Sequence, residues 1–284
     1  MKNIPISIIT INRNNVDGLE KTMQSVATQT FKEFEYIVID GASTDGSAEV
    51  IKRLEPQFAH LKWVSEPDKG IYNAMNKGLR MASGDYIQIL NSGDSLVAHD
   101  VTQRMISALE QLGFPSILYG NMIKCFPNGK KVVDKSFEGR EITMLGMFKG
   151  TLNHDPTYIQ RDLFEKYGFY DECLKIVSDW KWYLQAIILG GEKPKYVDID
   201  VTLFDMTGIS ETNKNLDKEE RKRVLEQLFP LAILTDYERY VFPIEQFNRL
   251  QRHPWAYKMV WLLERCLFKL EKHEMKKNTI ARQK

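Results

Sequence analysis

The sequence predicts an α/β protein whose central sheet is mostly parallel, followed by a helical C-terminal appendage. Three observations predict it. Through the first hundred residues, short apolar runs alternate with segments of helical period, the pattern of right-handed crossover units. The runs ending near Asn12, Asp40 and Leu90 lead into polar turns rich in Asn, Gly, Ser and Asp. From Asp217 onward the pattern is almost wholly helical and strongly charged.

In chain order, Ile6 to Ile11, Tyr36 to Asp40, Leu61 to Val64 and Tyr86 to Leu90 read as strands. Leu19 to Ala27, Ser47 to Leu54 and Tyr72 to Met81 read as the helices between them. A helix is expected over Val101 to Leu112. After it, Ile117 to Lys124 and Lys130 to Asp134 flank the turn Pro127-Asn128-Gly129 as an antiparallel pair. Helices are expected over Arg161 to Tyr167 and Asp179 to Leu189, then a short strand at Tyr196 to Ile199. Phe204 to Ser210 reads as a loop, and Leu216 to Leu228 as a solvated helix with its charges outward.

Composition narrows the class. The chain has 284 residues, 43% hydrophobic and 27% charged, enough for one large core with an appendage. A formal net charge of +1 gives no electrostatic case for nucleic acid as a partner. Cys125, Cys173 and Cys266 are odd in number and widely spaced, which suggests neither a disulfide framework nor a zinc site and fits a reducing cytoplasm. The apolar run Ile4 to Ile11 is too short for a signal peptide or a membrane span and is read as the first strand. His60, His99, His253 and His273 are scattered without partners at metal-ligand spacing and are read as surface residues.

The strand ends carry the chemistry. Ligands in open α/β sheets gather beyond the carboxyl ends of strands. Asp94 follows Tyr86 to Leu90 on a turn made permissive by Gly93, where hard carboxylate oxygen can hold a divalent cation; the alternative is an ordinary polar turn. Asp40 to Ser47 offers two acids and several hydroxyls able to hydrogen-bond a base and ribose, although Asp45 and Ser47 also suit helix capping. There is no GxGxxG and no GxxxxGK[ST], so a metal-carrying acidic pocket is the remaining way to hold a pyrophosphate.

Four blocks in order resemble the family 2 glycosyltransferases of the GT-A fold: SIITINRN, YIVIDGASTDGS, EPDKGIYNAMNKGLRMASGDYIQILNSGD and NHDPTYIQRDLFEKYGFYDECLKIVSDWKWYLQAI. The resemblance covers about the first two hundred residues and is greatest to bacterial enzymes of surface-polysaccharide assembly. It implies a nucleotide-sugar donor, a UDP-sugar above all, and a glycan or lipid-linked acceptor. Thr10, Asn12, Asp40 and Ser43 would line the uracil and ribose pocket. Asp68 and Lys69 would border the nucleotide phosphates. Asp94 would hold Mg²⁺ or Mn²⁺ against the donor diphosphate, and Asp179 would be the general base of an inverting transfer, its pKa raised by burial beside Trp180. His154 and Trp180 would lie near the sugar. Where family members often have two adjacent acids, this chain has Gly93-Asp94, which leaves open a non-catalytic sugar-nucleotide-binding or scaffold relative.

The expected division is a GT-A domain over residues 1–215 and a basic helical appendage over 216–284. From Arg249 onward there are ten Lys or Arg against three Glu, a local net of +7. Trp255, Met259, Leu262, Leu263, Cys266, Leu267 and Leu270 recur at helical spacing as an apolar stripe. Such a stripe suits an anionic membrane surface at the inner face of the cell membrane, packing on the core, or a homodimer.

Overall fold

The computed structural model describes residues 6–207 and 213–282, with side chains to residue 272. The first half is β1 (Ile6–Asn12), α1 (Val16–Ala27), β2 (Phe34–Asp40), α2 (Ser47–Leu54), β3 (Leu61–Ser65), α3 (Ile71–Met81) and β4 (Tyr86–Ile89). These strands pair in parallel in the order β3-β2-β1-β4, with Asn12 level with Asp40. β1 and β2 are buried at every position, as strands covered on both faces must be. On one face Ile6, Ile8, Tyr36 and Val38 join Leu19, Met23, Val50 and Met105 in the main core. On the other, α3 packs over β1 and β2.

Beyond β4 the sheet becomes mixed. The elements are β5 (Ser95–Leu96), α4 (Val101–Gln111), β6 (Ile117–Cys125), β7 (Lys131–Asp134), α5 (Met144–Lys149), β8 (Thr157–Gln160), α6 (Asp162–Tyr167), α7 (Ser178–Tyr183), β9 (Lys195–Asp205) and α8 (Lys214–Leu228). β8 enters antiparallel between β4 and β6, β9 runs parallel to β6, and β5 closes on β9. The β6–β7 hairpin forms where the Pro-Asn-Gly turn predicts it. β8, two-residue β5 and six-residue α5 are too short to leave a period in the sequence. α7 runs on as a π-helical stretch over Leu184–Leu189.

Two expected loops and surfaces are corrected. β9 continues past Ile199 to Asp205, so Phe204 and Asp205 end a strand, while residues 208–210 of the expected loop lie outside the described residues. α8 is not merely solvated: Glu220 and Val224 are buried.

The chain forms two compact units, Met1–Val224 and Leu225–Lys284. In the second, α9 (Leu231–Gln251) and α10 (Pro254–Arg282) pack on each other, with the Phe247 and Tyr257 rings 5.7 Å apart. Trp255, Met259, Leu262, Leu263, Leu267 and Leu270 of α10 are all exposed. Among the described residues no helix is long and apolar enough to cross a membrane.

Candidate active site

The crossovers leave β1 toward β2 on one side and β4 on the other, so the sheet's switch point lies where β1 and β4 end. There the turn Asn91-Ser92-Gly93-Asp94 is locked by α1. The Thr22 hydroxyl accepts from Gly93 N at 3.0 Å and donates to the Asp94 carbonyl at 2.6 Å. Lys21 Nζ donates to Gly93 O at 2.7 Å, and Asn15 Nδ2 to Ser92 O at 3.1 Å. Gly93 sits at φ +105°, a conformation open to glycine and strained for other residues. The Asp94 side chain is buried, and its Oδ1 accepts from Asp205 N at the end of β9 at 2.8 Å.

Beside it lies a cavity of about 300 Å³, lined among others by Tyr72, Asn91, His154, Asp155, Asp179 and Trp180. Here the sequence's acid, its candidate base and its histidine come together. His154 Nδ1 stands 3.3 Å from Asp179 Oδ2, and its Nε2 stands 3.4 Å from Asp155 Oδ1. Burial disfavours the imidazolium, but the Asp155 and Asp179 carboxylates outweigh it and push the His154 pKa up to about 9. The Asn91 amide nitrogen lies 3.0 Å from Nε2, and the ring's tautomer sets which of the two donates. Burial and then mutual repulsion raise Asp94 well above the usual carboxylate range; Asp155 is raised mainly by burial. Each of the two carboxyls thus biases the ionisation of the other.

Asp179 departs from expectation. Burial raises its pKa, yet the hydrogen bond and charge of His154 and the Tyr72 hydroxyl at 3.0 Å together bring it below the ordinary value. It is a carboxylate at neutral pH, held from two sides. The Tyr72 hydroxyl lies 2.5 Å from Ile176 O as well, tying α3 to the loop that leads into α7. Because the folded His154 pKa exceeds its unfolded value of about 6.5, its stabilisation is full below that pH and is lost as pH rises through about 9. His154→Gln is therefore expected to flatten the fall in unfolding free energy over that interval, read by urea titration at several pH values.

Trp180 is buried rather than open to a ligand over its whole face: Nε1 donates to Met147 O at 2.8 Å, and the Arg221 guanidinium lies 4.4 Å above the ring. The loop before Asp179 is fastened by Glu220, which sequence reasoning missed. Its buried carboxylate accepts from Lys175 N at 2.8 Å, Ile176 N at 2.9 Å and Val177 N at 3.3 Å. Glu220→Gln replaces one acceptor oxygen by a donor facing these N–H groups. It is expected to cost about 2–3 kcal/mol, measured by chemical denaturation.

The expected nucleotide group forms a second cluster at the ends of β1, β2 and β3. Asp40 is wholly buried, and its carboxylate receives Asn12 Nδ2 at 2.8 Å, Ser43 N at 3.0 Å, and the Ser43 and Ser65 hydroxyls at 2.5 and 2.6 Å. Its four acceptor positions are thus taken, so a base would meet Asp40 only where one of these donors gives way. The free acceptor is Asn12 Oδ1, buried and without a hydrogen-bond partner. Thr10 is fully buried, and its hydroxyl receives the Tyr36 phenol at 3.0 Å. The Asp68 side chain is nearly buried, 3.7 Å from the Arg13 guanidinium and so close to Gly41 that a Cβ there would collide with it. Lys69 is exposed. Asp155 and Tyr72 were also missed, although Asp155 directly follows His154 in a block that the sequence singles out. Of the scattered histidines, His60, His99 and His253 are exposed, and the His273 side chain lies outside those described.

Comparison with known proteins gives the family and the fold. Residues 7–168 match the family model described as Glycosyl transferase family 2. An uncharacterized glycosyltransferase of Mycobacterium tuberculosis is 34% identical over 208 residues, 72% of this chain and 76% of the relative. A PGL/p-HBAD biosynthesis glycosyltransferase of Mycobacterium bovis is 26% identical over 219 residues, 77% of this chain and 83% of the relative. Among solved structures, S. aureus TarS 1–349 in complex with UDP has a TM-score of 0.59 at 18% identity over 71% of this chain, which spans only 60% of that one. Mannosyltransferase PcManGT from Pyrobaculum calidifontis, in complex with GDP-Man and Mn²⁺, has a TM-score of 0.61 at 16% identity over 89% of this chain and 72% of that one. At these identities the structural likeness speaks to the fold, which is GT-A.

Proposed function

This chain belongs to glycosyl transferase family 2 and is a glycosyltransferase, and from that premise we propose that it moves a sugar from a UDP-sugar to a hydroxyl with inversion of the anomeric centre. The observation that carries the reading is Asp179: a carboxylate kept ionised at a cavity that also receives Asp155 and lies beside the acidic turn of Asp94. An acceptor hydroxyl is a poor nucleophile at neutral pH. Asp179 would take its proton during attack, on the side of the sugar away from the departing diphosphate. His154 would hold the carboxylate in place and keep it charged.

GT-A enzymes of this kind typically use a divalent metal, and the PcManGT neighbour is in complex with Mn²⁺. The residues here suit a hard cation: Asp94 offers carboxylate oxygen at the switch point. No group of three His, Cys, Asp or Glu side chains gathers at metal-binding geometry among the described residues. The protein would thus supply few ligands and rely on diphosphate oxygens and water. Bound there, Mg²⁺ or Mn²⁺ would offset the charge growing on the leaving nucleotide.

For the base, Asn12 Oδ1 is an acceptor waiting for a donor, which suits the imino N–H of uracil, with Asp40 and Ser43 fixing the amide. Asp68 and Lys69 would border the phosphates. The test is isothermal titration with UDP and GDP, each with and without Mn²⁺. Metal-dependent binding of UDP at least tenfold tighter than GDP is expected; a preference for GDP would reassign the donor. Tight UDP binding with no turnover of any UDP-sugar would leave a scaffold relative in its place.

The acceptor we infer is a glycan or lipid-linked saccharide of the bacterial surface, in keeping with the PGL/p-HBAD biosynthesis named for a relative. The catalytic part would run past the expected boundary at 215 to residue 224, because Glu220 fastens the loop before Asp179, and the segment 225–284 would face the membrane. The exposed aromatic and aliphatic side chains of α10 and the local net of +7 from Arg249 onward support contact with an anionic lipid surface. Deleting the chain from Arg249 onward is expected to lower binding to vesicles containing phosphatidylglycerol at least tenfold in sedimentation; undiminished binding would remove this role.

A further inference from the structure

We propose that Asp155 is the second carboxylate of the divalent-cation site, supplied from the loop before β8 because the turn at Gly93 carries none. The inference rests on the reading that Asp94 anchors a metal-bound diphosphate. An acid at position 93 would have to adopt φ +105°, which L side chains rarely do, so the glycine is a backbone requirement of this turn. A compensating oxygen must then come from another element.

Two acids approach. Asp205 donates its backbone N–H to Asp94, and its own Oδ1 is occupied by Thr207 N at 2.9 Å and the Thr207 hydroxyl at 2.8 Å. It is built to place Asp94. Asp155 differs in three respects. It is only 1% exposed, it is a lining residue of the cavity and its carboxyl interacts directly with that of Asp94, and its buried Oδ1 accepts no hydrogen bond. The cationic ring beside it, His154 with Nε2 at 3.4 Å, is already met by Asn91 at 3.0 Å. Two buried carboxyls facing each other repel when ionised, and a buried carboxylate oxygen left without a partner is costly. A hard dication between them resolves both, and phosphate oxygens and water complete its shell.

The test titrates Mn²⁺ into the full chain with saturating UDP, following free Mn²⁺ by electron paramagnetic resonance, and compares wild type with Asp155→Asn and Asp205→Asn. Wild type is expected to bind one Mn²⁺, and Asp155→Asn to bind it at least tenfold more weakly. The same variant should melt no lower than wild type without metal, because one carboxyl of a repelling pair is gone, and should lose the rise in melting temperature that Mn²⁺ with UDP gives wild type. If Asp155→Asn does not fold, Asp155→Ser carries the same readouts without adding bulk. Wild-type binding with Asp155→Asn unchanged, or with Asp205→Asn alone impaired, would overturn this assignment and leave the transferase reading standing. No Mn²⁺ binding by wild type would overturn the metal site as a whole.

Discussion

Asp179→Asn is expected to lower kcat by about 10²–10⁴-fold, the usual range for a lost general base, while UDP and Mn²⁺ affinities stay within about twofold. The asparagine keeps the volume and can still accept from Tyr72, now 3.0 Å from Oδ1, so α3 and α7 stay joined. It cannot take a proton from the acceptor. It also removes one of the carboxylates that keep His154 protonated, so the His154 pKa should fall from about 9. That fall, followed by the imidazole proton resonances across pH, separates loss of the base from loss of the fold. Equal turnover by wild type and variant would remove Asp179 from the chemistry.

The second large effect is expected at Asp94. Asp94→Asn should abolish the metal-dependent part of UDP binding and lower turnover by about 10²–10³-fold, the scale of losing a group that stabilises charge on a leaving diphosphate. The amide oxygen can still accept from Asp205 N, so the link between β9 and the acidic turn survives. Because Asp94 is buried against Asp155 and held well above its normal pKa, neutralising it should make the metal-free protein more stable at neutral pH. Greater stability with lower activity is the signature of a residue kept for function. Thermal melts without metal alongside UDP titrations with Mn²⁺ would show both halves. Reduced stability together with unchanged nucleotide binding would mark Asp94 as structural.

Much of this architecture is visible in the residues because it is local. The units from β1 to β4 announce themselves by alternating apolar runs and helical periods, and the β6–β7 hairpin by its Pro-Asn-Gly turn. β8 escapes because four residues carry no reliable period and its place between β4 and β6 depends on pairing across the chain. Functional groups divide the same way. Asp94, His154 and Asp179 stand in recognisable blocks and meet at one cavity and its border. Asp155 gains its meaning only from Asp94, which is 61 positions earlier, and Glu220 only from the loop at Lys175 that it fastens. The Asp179 pKa runs opposite to expectation for a related reason: burial beside Trp180 is evident from neighbours in sequence, whereas the pull of His154 and Tyr72, which together outweigh it, comes through space. At Asp40 the strand end was legible, but the hydroxyls of Ser43 and Ser65 that use up its oxygens belong to a fold already formed.

The most direct test of the account is the stereochemistry of the sugar released or transferred. Proton NMR should follow the anomeric signal during early turnover of an accepted UDP-α-sugar, before mutarotation, with water or an added saccharide as acceptor. Attack assisted by Asp179 from the side opposite the diphosphate predicts that the β anomer appears first. First appearance of the α anomer would contradict a single inverting displacement and, with it, the role assigned to Asp179.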